Sequence, residues 1–494
     1  MAAVVREIER KYDITGAKTA QFDGVPGAAS MSPPTEEVLD AVYYDTEDLR
    51  LIRGGVTLRQ RSGGPDAGWH LKLPSGPDAR DEVRLPATGT GGPVPEELAS
   101  LVRARTRGAP LAPIIRIRTV RDRRRLLDPA GRALAEIAAD KVRAEPIGGV
   151  GAVSWEELEV ELVGGDMNLL TALDERLRAA GARPAAAASK LARALGDRLD
   201  GAAGDTAEPV TATPDSPAAD VVLAYLRTQV GVITHFDPLV RRSEPDAVHQ
   251  MRVAIRRVRS ALQVFREIVD RERTRALGDE LKWLAAVLGR ERDAEVLAAR
   301  LRKLLAALPA ELVAGPVEER VTRHFSSELA QAHAAAVREL DGPRYFALLD
   351  ALDALLDDPP LHPDASRPAA QALRRPVRRA AKRLKRALKN IPGRDPSPDK
   401  DTAIHEARKA AKRARYAADA AAPALGGKAA RQAARAKALQ TLLGNHHDSV
   451  VARTFLRTLA GQAHAAGEDT FTYGVMHERE ASVSHDIERS LAKR

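Results

Sequence analysis

The spacing of apolar residues changes once along this 494-residue chain, and the change divides the chain into two parts. Residues 201–220 contain Pro, Gly and Thr but neither Lys nor Arg, and without apolar periodicity they are typical of a linker. Before them, short segments alternate apolar and polar residues as β-strands do. After them, long Ala-, Leu- and Arg-rich segments follow the period of α-helices. We therefore predict an α+β multidomain chain, β-rich at 1–200 and all-helical at 221–494.

Five segments of the first part carry the strand pattern most clearly: 5–12, 56–61, 69–73, 114–127 and 155–162. Helices are predicted at 95–107, 169–180 and 189–199.

The composition excludes several classes of protein. Without Cys, a disulfide scaffold, thiolate metal ligands and a cysteine nucleophile are excluded. The first thirteen residues are too charged for a signal peptide, and no run of 18 apolar residues occurs, so we expect a cytoplasmic protein without a membrane partner. The net charge of +9 favours a polyanionic partner only where the charge is clustered.

Charged residues recur at every second position of the predicted strands, and their sign differs from strand to strand. Successive side chains of a strand point to opposite faces, so each such set shares one face. The sets are Glu7, Glu9 and Lys11; Arg59 and Arg61; His70 and Lys72; Arg116 and Arg118, then a shift that brings Arg121, Arg123 and Arg125 into register; and Glu157, Glu159 and Glu161. Asp140 ends the segment AEIAAD, and Lys190 opens the last predicted helix of this part.

This sorting by sign indicates a chemical role, because a solvated strand face normally mixes both signs. Carboxylate oxygens suit Mg²⁺ or Mn²⁺, and rows of Arg and Lys suit phosphate oxygens. A sheet that closes with this face inward would be an antiparallel β-barrel, a tunnel for a metal–polyphosphate ion.

The segment EIERK at 7–11, followed by RxR, HLK, AEIAAD, ELEVEL and SK, resembles the CYTH superfamily, named for class IV adenylate cyclases and thiamine triphosphatases. Over residues 1–200 the resemblance implies a triphosphate tunnel metalloenzyme fold. It implies a catalytic set of Glu7, Glu9, Lys11, Asp140 and Glu159, and metal ligands Glu7, Glu9, Asp140, Glu159 and Glu161. It also implies phosphate binding by Arg59, Arg61, Lys72, Arg118, Arg121 and Lys190. Two choices stay open: Arg121 or Arg123 in the basic strand, and Glu157 or Glu161 as the partner of Glu159.

The helical part contains an internal repeat. The segments HQMRVAIRRVRSAL, which begins at His249, and LGRERDAEV recur as HEARKAAKRARYAA, which begins at His405, and LGNHHDSVV. The two histidines are 156 positions apart, and Asp293 and Asp448 are 155 apart, so both motifs recur in one register. We predict two homologous helical halves.

Each repeat carries a basic stripe along one helix face, and residues 374–389 hold nine Lys or Arg and no acid. Since like charges on one face repel, such faces favour a polyanion. The predicted binding residues are His249, Arg252, Arg256, Arg257, Arg259, His405, Arg408, Lys409, Lys412, Arg413, Arg415, Arg378, Arg379 and Lys382. We expect Asp293 and Asp448 to hold stripe arginines by charge-assisted hydrogen bonds. Adjacent His446 and His447 point about 100° apart on a helix, so we do not expect them to chelate one metal.

The two repeats resemble the CHAD domain, the conserved histidine α-helical domain that often follows CYTH. The resemblance implies an all-α, pseudo-twofold helical bundle whose basic concave surface binds inorganic polyphosphate, and it allows an association with polyphosphate granules. Lys412 stands where the first repeat has Arg256, which keeps the charge and loses the bidentate geometry. The duplication predicts two equivalent half-sites.

The leading hypothesis for function is a metal-dependent triphosphatase that acts on inorganic triphosphate, or a related triphosphate, with a polyphosphate-binding helical domain. One alternative is a class IV-type adenylate cyclase, which would use the same tunnel with a ribose hydroxyl as nucleophile. We favour hydrolysis, because the sequence has no obvious adenine-recognition element. A second alternative is a non-catalytic polyphosphate-binding protein. Nucleic acid is disfavoured as a partner, because aromatic residues are too sparse for base stacking.

Overall fold

The structure is a computed structural model that describes residues 3–14, 22, 24–76, 78–87, 89, 92–149, 151–200, 213–391 and 398–492. The chain divides into two compact units, Met1–Glu208 and Pro209–Arg494. Most of the predicted linker, residues 201–212, lies outside the described residues. Its last three residues, 218–220, are already helical.

The first unit contains ten strands and five helices within the described residues. The strands are β1 (Ala3–Asp13), β2 (Ser30–Met31), β3 (Thr35–Asp45), β4 (Thr57–Ser62), β5 (Gly68–Pro74), β6 (Ala79–Pro86), β7 (Ala112–Leu127), β8 (Ala133–Pro146), β9 (Val153–Leu162) and β10 (Arg183–Pro184). The helices are α1 (Arg50–Arg53), α2 (Glu96–Thr106), α3 (Met167–Ala179), α4 (Lys190–Leu195) and α5 (Asp197–Asp200).

Eight of the strands form a closed antiparallel barrel, which confirms the predicted fold class. Their order is β1-β6-β5-β4-β3-β7-β8-β9, and β9 pairs again with β1. The short strands β2 and β10 add to β7 and β1. Closure removes the sheet edges and gives every strand an inner and an outer face.

The outer face of the barrel is apolar under its helices, so part of the hydrophobic core lies outside the sheet. Outward side chains of β4, β5 and β6, among them Leu58, Leu71 and Val83, are buried in a cluster with α2. Outward Ile137 and Val160 of β8 and β9 are buried in a cluster with α3. The inner face is thereby left to the charged residues of the alternating pattern.

One part of the barrel interior is apolar. Leu191 and Leu195 of α4 pack in one cluster with Ile115, Ile117 and Val142, which lie on the same strand faces as the charged inner residues. The start of α4 is fixed by Ser189, whose Oγ accepts a hydrogen bond from the third residue of the helix. The apolar packing therefore sets the position at which the first residue of α4 meets the charged interior.

The second unit is all-helical. Its helices are α6 (Ala218–Arg241), α7 (Ala247–Val264), α8 (Arg275–Ala306), α9 (Val317–Leu340), α10 (Pro343–Asp357), α11 (Ala369–Ala372), α12 (Arg374–Lys389), α13 (Pro398–Leu425), α14 (Gly427–Ala465) and α15 (Phe471–Ala492). Helices α6 to α9 pack each against the next, α12 to α15 repeat this order, and α13 contacts α6 and α7. None of the helices within the described ranges is long and apolar enough to cross a membrane.

The repeat extends to the fourth helix of each half. Glu291 Oε1 on α8 lies 3.1 Å from His333 Nδ1 on α9, and His446 Nε2 on α14 lies 3.0 Å from Glu488 Oε1 on α15. The 155-residue offset makes 291 equivalent to 446 and 333 equivalent to 488. The same hydrogen bond therefore recurs with His and Glu exchanged.

The packing of α4 generates a prediction for stability. Leu191→Ala should lower the free energy of unfolding of the first unit by about 2–5 kcal/mol, because it leaves a cavity among buried apolar side chains. Urea unfolding followed by tryptophan fluorescence in a Trp283→Phe background would measure this, since Trp69 and Trp155 then report on the first unit alone. Leu199→Ala, at a half-buried neighbouring leucine, is the matched control. An equal or smaller loss for Leu191→Ala would contradict the structural role of α4.

Candidate functional site

The charged inner face of the barrel surrounds a cavity of about 290 Å³, which we call the barrel pocket. All eight barrel strands and α4 contribute to its lining. Of the residues predicted to face the tunnel, those that line it are Glu7, Glu9, Lys11, Arg59, Arg61, Lys72, Arg121, Arg123, Glu159, Glu161 and Lys190. Acidic and basic side chains from distant parts of the sequence therefore meet in one enclosed space.

Arg118 does not point into the barrel pocket, so that prediction is wrong. β7 pairs with β8 without a register shift from Ile115 to Leu126, and the alternation therefore continues unbroken past Arg118. Its side chain lies on the outer face with 62% of its area exposed, and its Nε is 3.8 Å from Asp40. The shift expected between Arg118 and Arg121 is absent.

Both arginines left as alternatives in the basic strand point inward. Arg121 Nε and Nη2 donate to the two oxygens of Asp140 at 2.8 and 2.7 Å, and Nη2 also reaches Glu159 at 2.5 Å. Arg123 instead pairs with Glu37 at 2.7 Å. Arg121 therefore belongs to the Asp140 end of the pocket and Arg123 to a separate ion pair.

Lys190 stands between three buried carboxylates. Its Nζ is 2.8 Å from Asp140, 2.8 Å from Glu157 and 2.6 Å from Glu159. One oxygen from each of these acids lies within 4.8 Å of the others, a spacing that a metal ion could bridge. Burial raises the pKa of Glu159, but the charges of Lys11 and Lys190 outweigh it and hold that pKa well below its usual range. The carboxylate of Glu159 therefore stays charged beside Lys11 and Lys190.

A second acidic group lies across β1 and β9, where Glu9 is directly opposite Glu161. Burial raises the pKa of Glu9, but Lys11 and Lys72 lower it to about 2. Burial and the charge of Glu7 raise the pKa of Glu161 to about 7. Among the described residues no ion pair is formed by Glu161. Carboxylate oxygens such as these suit a hard divalent cation such as Mg²⁺ or Mn²⁺.

The structure adds Glu82, which the sequence reasoning missed. Its carboxylate is buried, forms a hydrogen bond with His70 Nδ1 at 2.9 Å, and forms longer ion pairs with Lys72 Nζ at 3.8 Å and Arg59 Nη2 at 3.9 Å. Arg84, on the same strand face, bonds both Glu82 and Glu7. A signal was present, because Arg80, Glu82 and Arg84 alternate through β6. Glu82 holds the basic side of the pocket together.

In the helical unit the predicted hydrogen bond between a stripe arginine and an acid of the repeat is present in the first half, and the second half has a longer ion pair instead. Arg252 Nη1 donates to Asp293 Oδ1 at 3.1 Å, and Arg408 Nη2 lies 3.8 Å from Asp448 Oδ1. Each guanidinium also lies against a glycine of the neighbouring helix. A Cβ at Gly289 would come within 3.2 Å of the Arg252 guanidinium, which explains the glycine in the LGxxxD motif.

The two stripes meet, and we call Arg252, Arg256, Arg408 and Lys412 the basic cluster. Burial, then the charges of Arg408, Arg256 and Arg252, lower the pKa of Lys412 to about 7. The Nε atoms of the three arginines are buried and have no hydrogen-bond partner within the described parts of the chain, and neither has Nδ1 of His405. Such donors require acceptors, which phosphate oxygens supply.

Other residues predicted to bind a polyanion lie outside the basic cluster, and they differ in exposure and in whether they pair with an acid. Arg378 and Lys382 are exposed on α12, whereas Arg379 bonds Glu267 at 2.8 Å, and exposed Lys409 bonds Glu406 at 2.7 Å. His249 is half-buried, and burial and Arg292 lower its pKa.

The adjacent histidines of α14 point in different directions, as predicted. His447 contacts the ring of His405, with ring centroids 4.8 Å apart. Burial, then the charge of Arg408, lowers the pKa of His447 to about 4. His446 is buried and bonds Glu488.

The pKa of Glu161 generates a prediction for the metal-free protein. Its folded-state pKa of about 7 exceeds the usual 4.5, so stability is greatest with the carboxyl protonated and falls as the pH rises through 7. Between pH 5 and 8, wild type should lose up to about 3 kcal/mol of unfolding free energy relative to Glu161→Gln. Urea titrations in EDTA would measure it. Glu145→Gln, which removes an exposed carboxylate, serves as control. Parallel pH profiles for wild type and Glu161→Gln would contradict the assignment.

Comparison with known proteins identifies both units. The CYTH domain model matches residues 5–195 and the CHAD domain model matches residues 224–457. Two uncharacterized Mycobacterium tuberculosis proteins, Rv2226 (strain H37Rv) and MT2285 (strain CDC 1551), are each 40% identical over 504 residues, covering 98% of this chain and 94% of theirs.

Solved structures resemble single units of the chain. PptA from Streptomyces chartreusis is 22% identical, covering 56% of this chain and 100% of its own, with a TM-score of 0.47. The CHAD domain from Ricinus communis is 26% identical, covering 58% and 94%, with a TM-score of 0.45. HpAC1 from Hippeastrum, described as having a dominant triphosphatase activity, is 18% identical, covering 39% and 94%, with a TM-score of 0.24. By its two domain matches and its full-length relatives, the chain belongs to the proteins in which a CYTH domain is followed by a CHAD domain.

Proposed function

We propose that the barrel pocket hydrolyses inorganic triphosphate with Mg²⁺ or Mn²⁺ and that the helical unit binds inorganic polyphosphate. The observation that carries the first part is the pocket in which, among the described residues, eight carboxylates and nine Arg and Lys side chains face one another. A triphosphate–metal complex has both charges that this lining complements. The cytoplasm, and polyphosphate granules within it, are the proposed location.

The basic residues of the pocket bind and orient the phosphates in this proposal. Arg59, Arg61 and Lys72 come from β4 and β5, and Lys11 and Arg121 from the strands across the pocket. Their side chains are largely buried, so their hydrogen bonds to phosphate oxygens compete little with water. Carboxylates such as Glu82, which already hold several of these cations, reduce the movement needed when the substrate binds.

The acidic residues would hold the metal. Glu7, Glu9 and Glu161 form one candidate set, and Asp140 and Glu159 belong to the group around Lys190. A bound Mg²⁺ or Mn²⁺ would neutralise phosphate oxygens and lower the pKa of a coordinated water. The ammonium group of Lys190 lies between three carboxylates. When a metal ion binds some of them, Lys190 can stay paired with a carboxylate that the metal does not bind.

The pocket favours an inorganic substrate over a nucleotide. Its aromatic lining residue is Tyr43, whose hydroxyl accepts a hydrogen bond from Arg59 Nη1 at 3.1 Å. The rest of the lining is mainly charged, so an adenine ring would find little apolar surface on which to stack. Adenylate cyclase activity is the alternative, since it would use the same residues around the triphosphate.

Polyphosphate binding by the helical unit is supported by the basic cluster. Three arginines present buried Nε donors without protein acceptors, and Lys412 is held close to them. A chain with about one negative charge per phosphate can satisfy several such donors at once, as nucleic-acid backbones do. Binding of polyphosphate should therefore weaken as salt concentration rises.

Removing one metal-binding carboxylate tests the hydrolase proposal. Glu9→Gln should lower triphosphate hydrolysis by about 10²-fold or more at saturating Mg²⁺, because charge neutralisation by the metal is lost. Phosphate release from inorganic triphosphate, ATP and thiamine triphosphate would be measured with each metal. Arg116→Gln, on the outer face of the same barrel, should retain the wild-type rate. Cyclic AMP formed from ATP without phosphate release, or full activity in Glu9→Gln, would contradict the proposal.

The lowered pKa of Lys412 tests polyphosphate binding. At pH 8 Lys412 is largely neutral in the free protein, and a bound polyanion would raise its pKa, so binding should take up a proton and weaken as pH rises from 7 to 9. Titration calorimetry in buffers of different ionisation enthalpy measures the uptake. Lys412→Arg, which restores the residue type of Arg256, should bind without that uptake and with a flatter pH profile. Identical uptake by both proteins would assign it elsewhere.

A further inference from the structure

The pseudo-twofold repeat relates two pairs of arginines at the interface of α7 and α13. With the 156-residue offset, Arg257 is equivalent to Arg413 and Arg259 to Arg415. Arg257 and Arg415 form one pair, because their guanidinium carbons lie 5.8 and 5.7 Å from the ring centroid of Tyr416. The symmetry pairs Arg259 with Arg413 in the same way.

Arg415 has a carboxylate partner, and Arg257 has a neutral amide acceptor. Arg415 Nε lies 3.5 Å from the Asp419 carboxylate, and Arg415 Nη1 donates to the Gln440 amide oxygen at 3.4 Å. Arg257 Nη1 donates to the amide oxygen of Gln229 at 3.3 Å. Protein groups therefore accept one hydrogen bond from each arginine of this pair, while Arg257 Nε is buried without a hydrogen-bond partner among the described residues.

The positions around Arg259 carry different residues. Ser260 replaces Tyr416, Gln263 replaces Asp419 and Ala285 replaces Gln440. The carboxylate, the aromatic ring and the amide acceptor are thus all missing from the second pair. Ser260 is 6% exposed, and its Oγ has no hydrogen-bond partner among the described residues.

Additional arginines lie near Arg259 and Arg413, where Arg257 and Arg415 have the aromatic ring, the carboxylate and the amide. On α12, Arg383 is exposed. Burial, then the charge of Arg383, lowers the pKa of Arg413, and the charge of Arg259 adds to this shift while nearby Glu406 opposes it. Beside Arg259 there is a cleft of about 250 Å³, lined by Arg259, Gln263, Arg271, Thr274, Arg275 and Asp279. In the described part of the chain, none of the three cleft arginines forms an ion pair. The N-terminal end of α8 adds to the positive potential there.

We propose that Arg259, Arg413 and Arg383, with the cleft bordered by Arg271 and Arg275, are the primary phosphate anchor of the helical unit, and that Arg257 and Arg415 are a structural pair. The inference rests on the proposed polyphosphate binding by this unit and specifies where it is strongest. The ligand is a phosphoryl group of a polyanionic chain, which meets Arg259, Arg271 and Arg275 where they form no ion pair with any described residue. The two half-sites predicted from the repeat then differ in affinity, and polyphosphate binds to one side of the pseudo-twofold axis.

Equivalent substitutions in the full-length protein test this inequality. Arg259→Gln and Arg415→Gln each remove one arginine from positions that the repeat makes equivalent. We expect Arg259→Gln to weaken binding of fluorescently labelled long-chain polyphosphate about tenfold at low salt and to reduce the salt slope by about one. Arg415→Gln should weaken binding less than about threefold while lowering the melting temperature, because it breaks contacts to Asp419 and Gln440.

Two further variants keep the test independent of folding and of net charge. Arg383→Gln, at an exposed position of α12, should also weaken binding without lowering the melting temperature. Arg323→Gln, 75% exposed on α9, removes the same charge at a distance from the anchor and should bind as wild type does. Equal losses for Arg259→Gln and Arg415→Gln, or for Arg383→Gln and Arg323→Gln, would overturn the anchor. Failure of the wild type to bind polyphosphate would instead refute the proposed function, and the anchor with it.

Discussion

The burial of opposite charges inside a closed barrel is the constraint on which the first unit depends. Removing a carboxylate or an ammonium group from water costs several kcal/mol, so each must find a partner of the other sign or a bound ion. Arg121 with Asp140, and Lys190 with its three acids, satisfy that requirement within the protein. Among the described residues Glu161 forms no ion pair, and burial with the charge of Glu7 raises the pKa of its carboxyl to about 7. In the proposed function a bound cation would stabilise its charged form.

Strict alternation made much of the pocket predictable from the sequence. Glu7, Glu9 and Lys11 had to share a face, and the sign of each strand could be assigned without knowing the strand order. The prediction for Arg118 was wrong because it assumed a slip of one residue in β7, and such a slip exchanges the two faces of a strand. Glu82 was missed, since a mixed set of signs on β6 gives no sorting by charge. Its importance arises only from His70, Arg59 and Lys72, which the closure of the sheet brings to it.

In the helical unit, too, the repeat predicted some side-chain contacts and not others. The duplicated motif predicted that Asp293 and Asp448 would hold arginines, because both partners belong to the repeat itself. Two of the residues that distinguish Arg259 from Arg415 lie on the same helices, where Ser260 and Gln263 replace Tyr416 and Asp419, and the third difference, Ala285 for Gln440, lies on α8 and α14. The sequence contains these differences but does not show which of them contact an arginine. Only the packed structure shows which arginine already has acceptors.

The exchanged His and Glu of the two halves bear on how the repeat diverged. Both halves have a hydrogen bond between their third and fourth helices. In one half the third helix supplies Glu and the fourth supplies His, and in the other half the two residues are exchanged. An exchange made one substitution at a time passes through two facing histidines or two facing glutamates. Two neutral imidazoles can donate and accept between them, whereas two buried carboxylates must share a proton. Physical chemistry thus gives the divergence a preferred order, with a His–His ancestor of one half as its least costly intermediate.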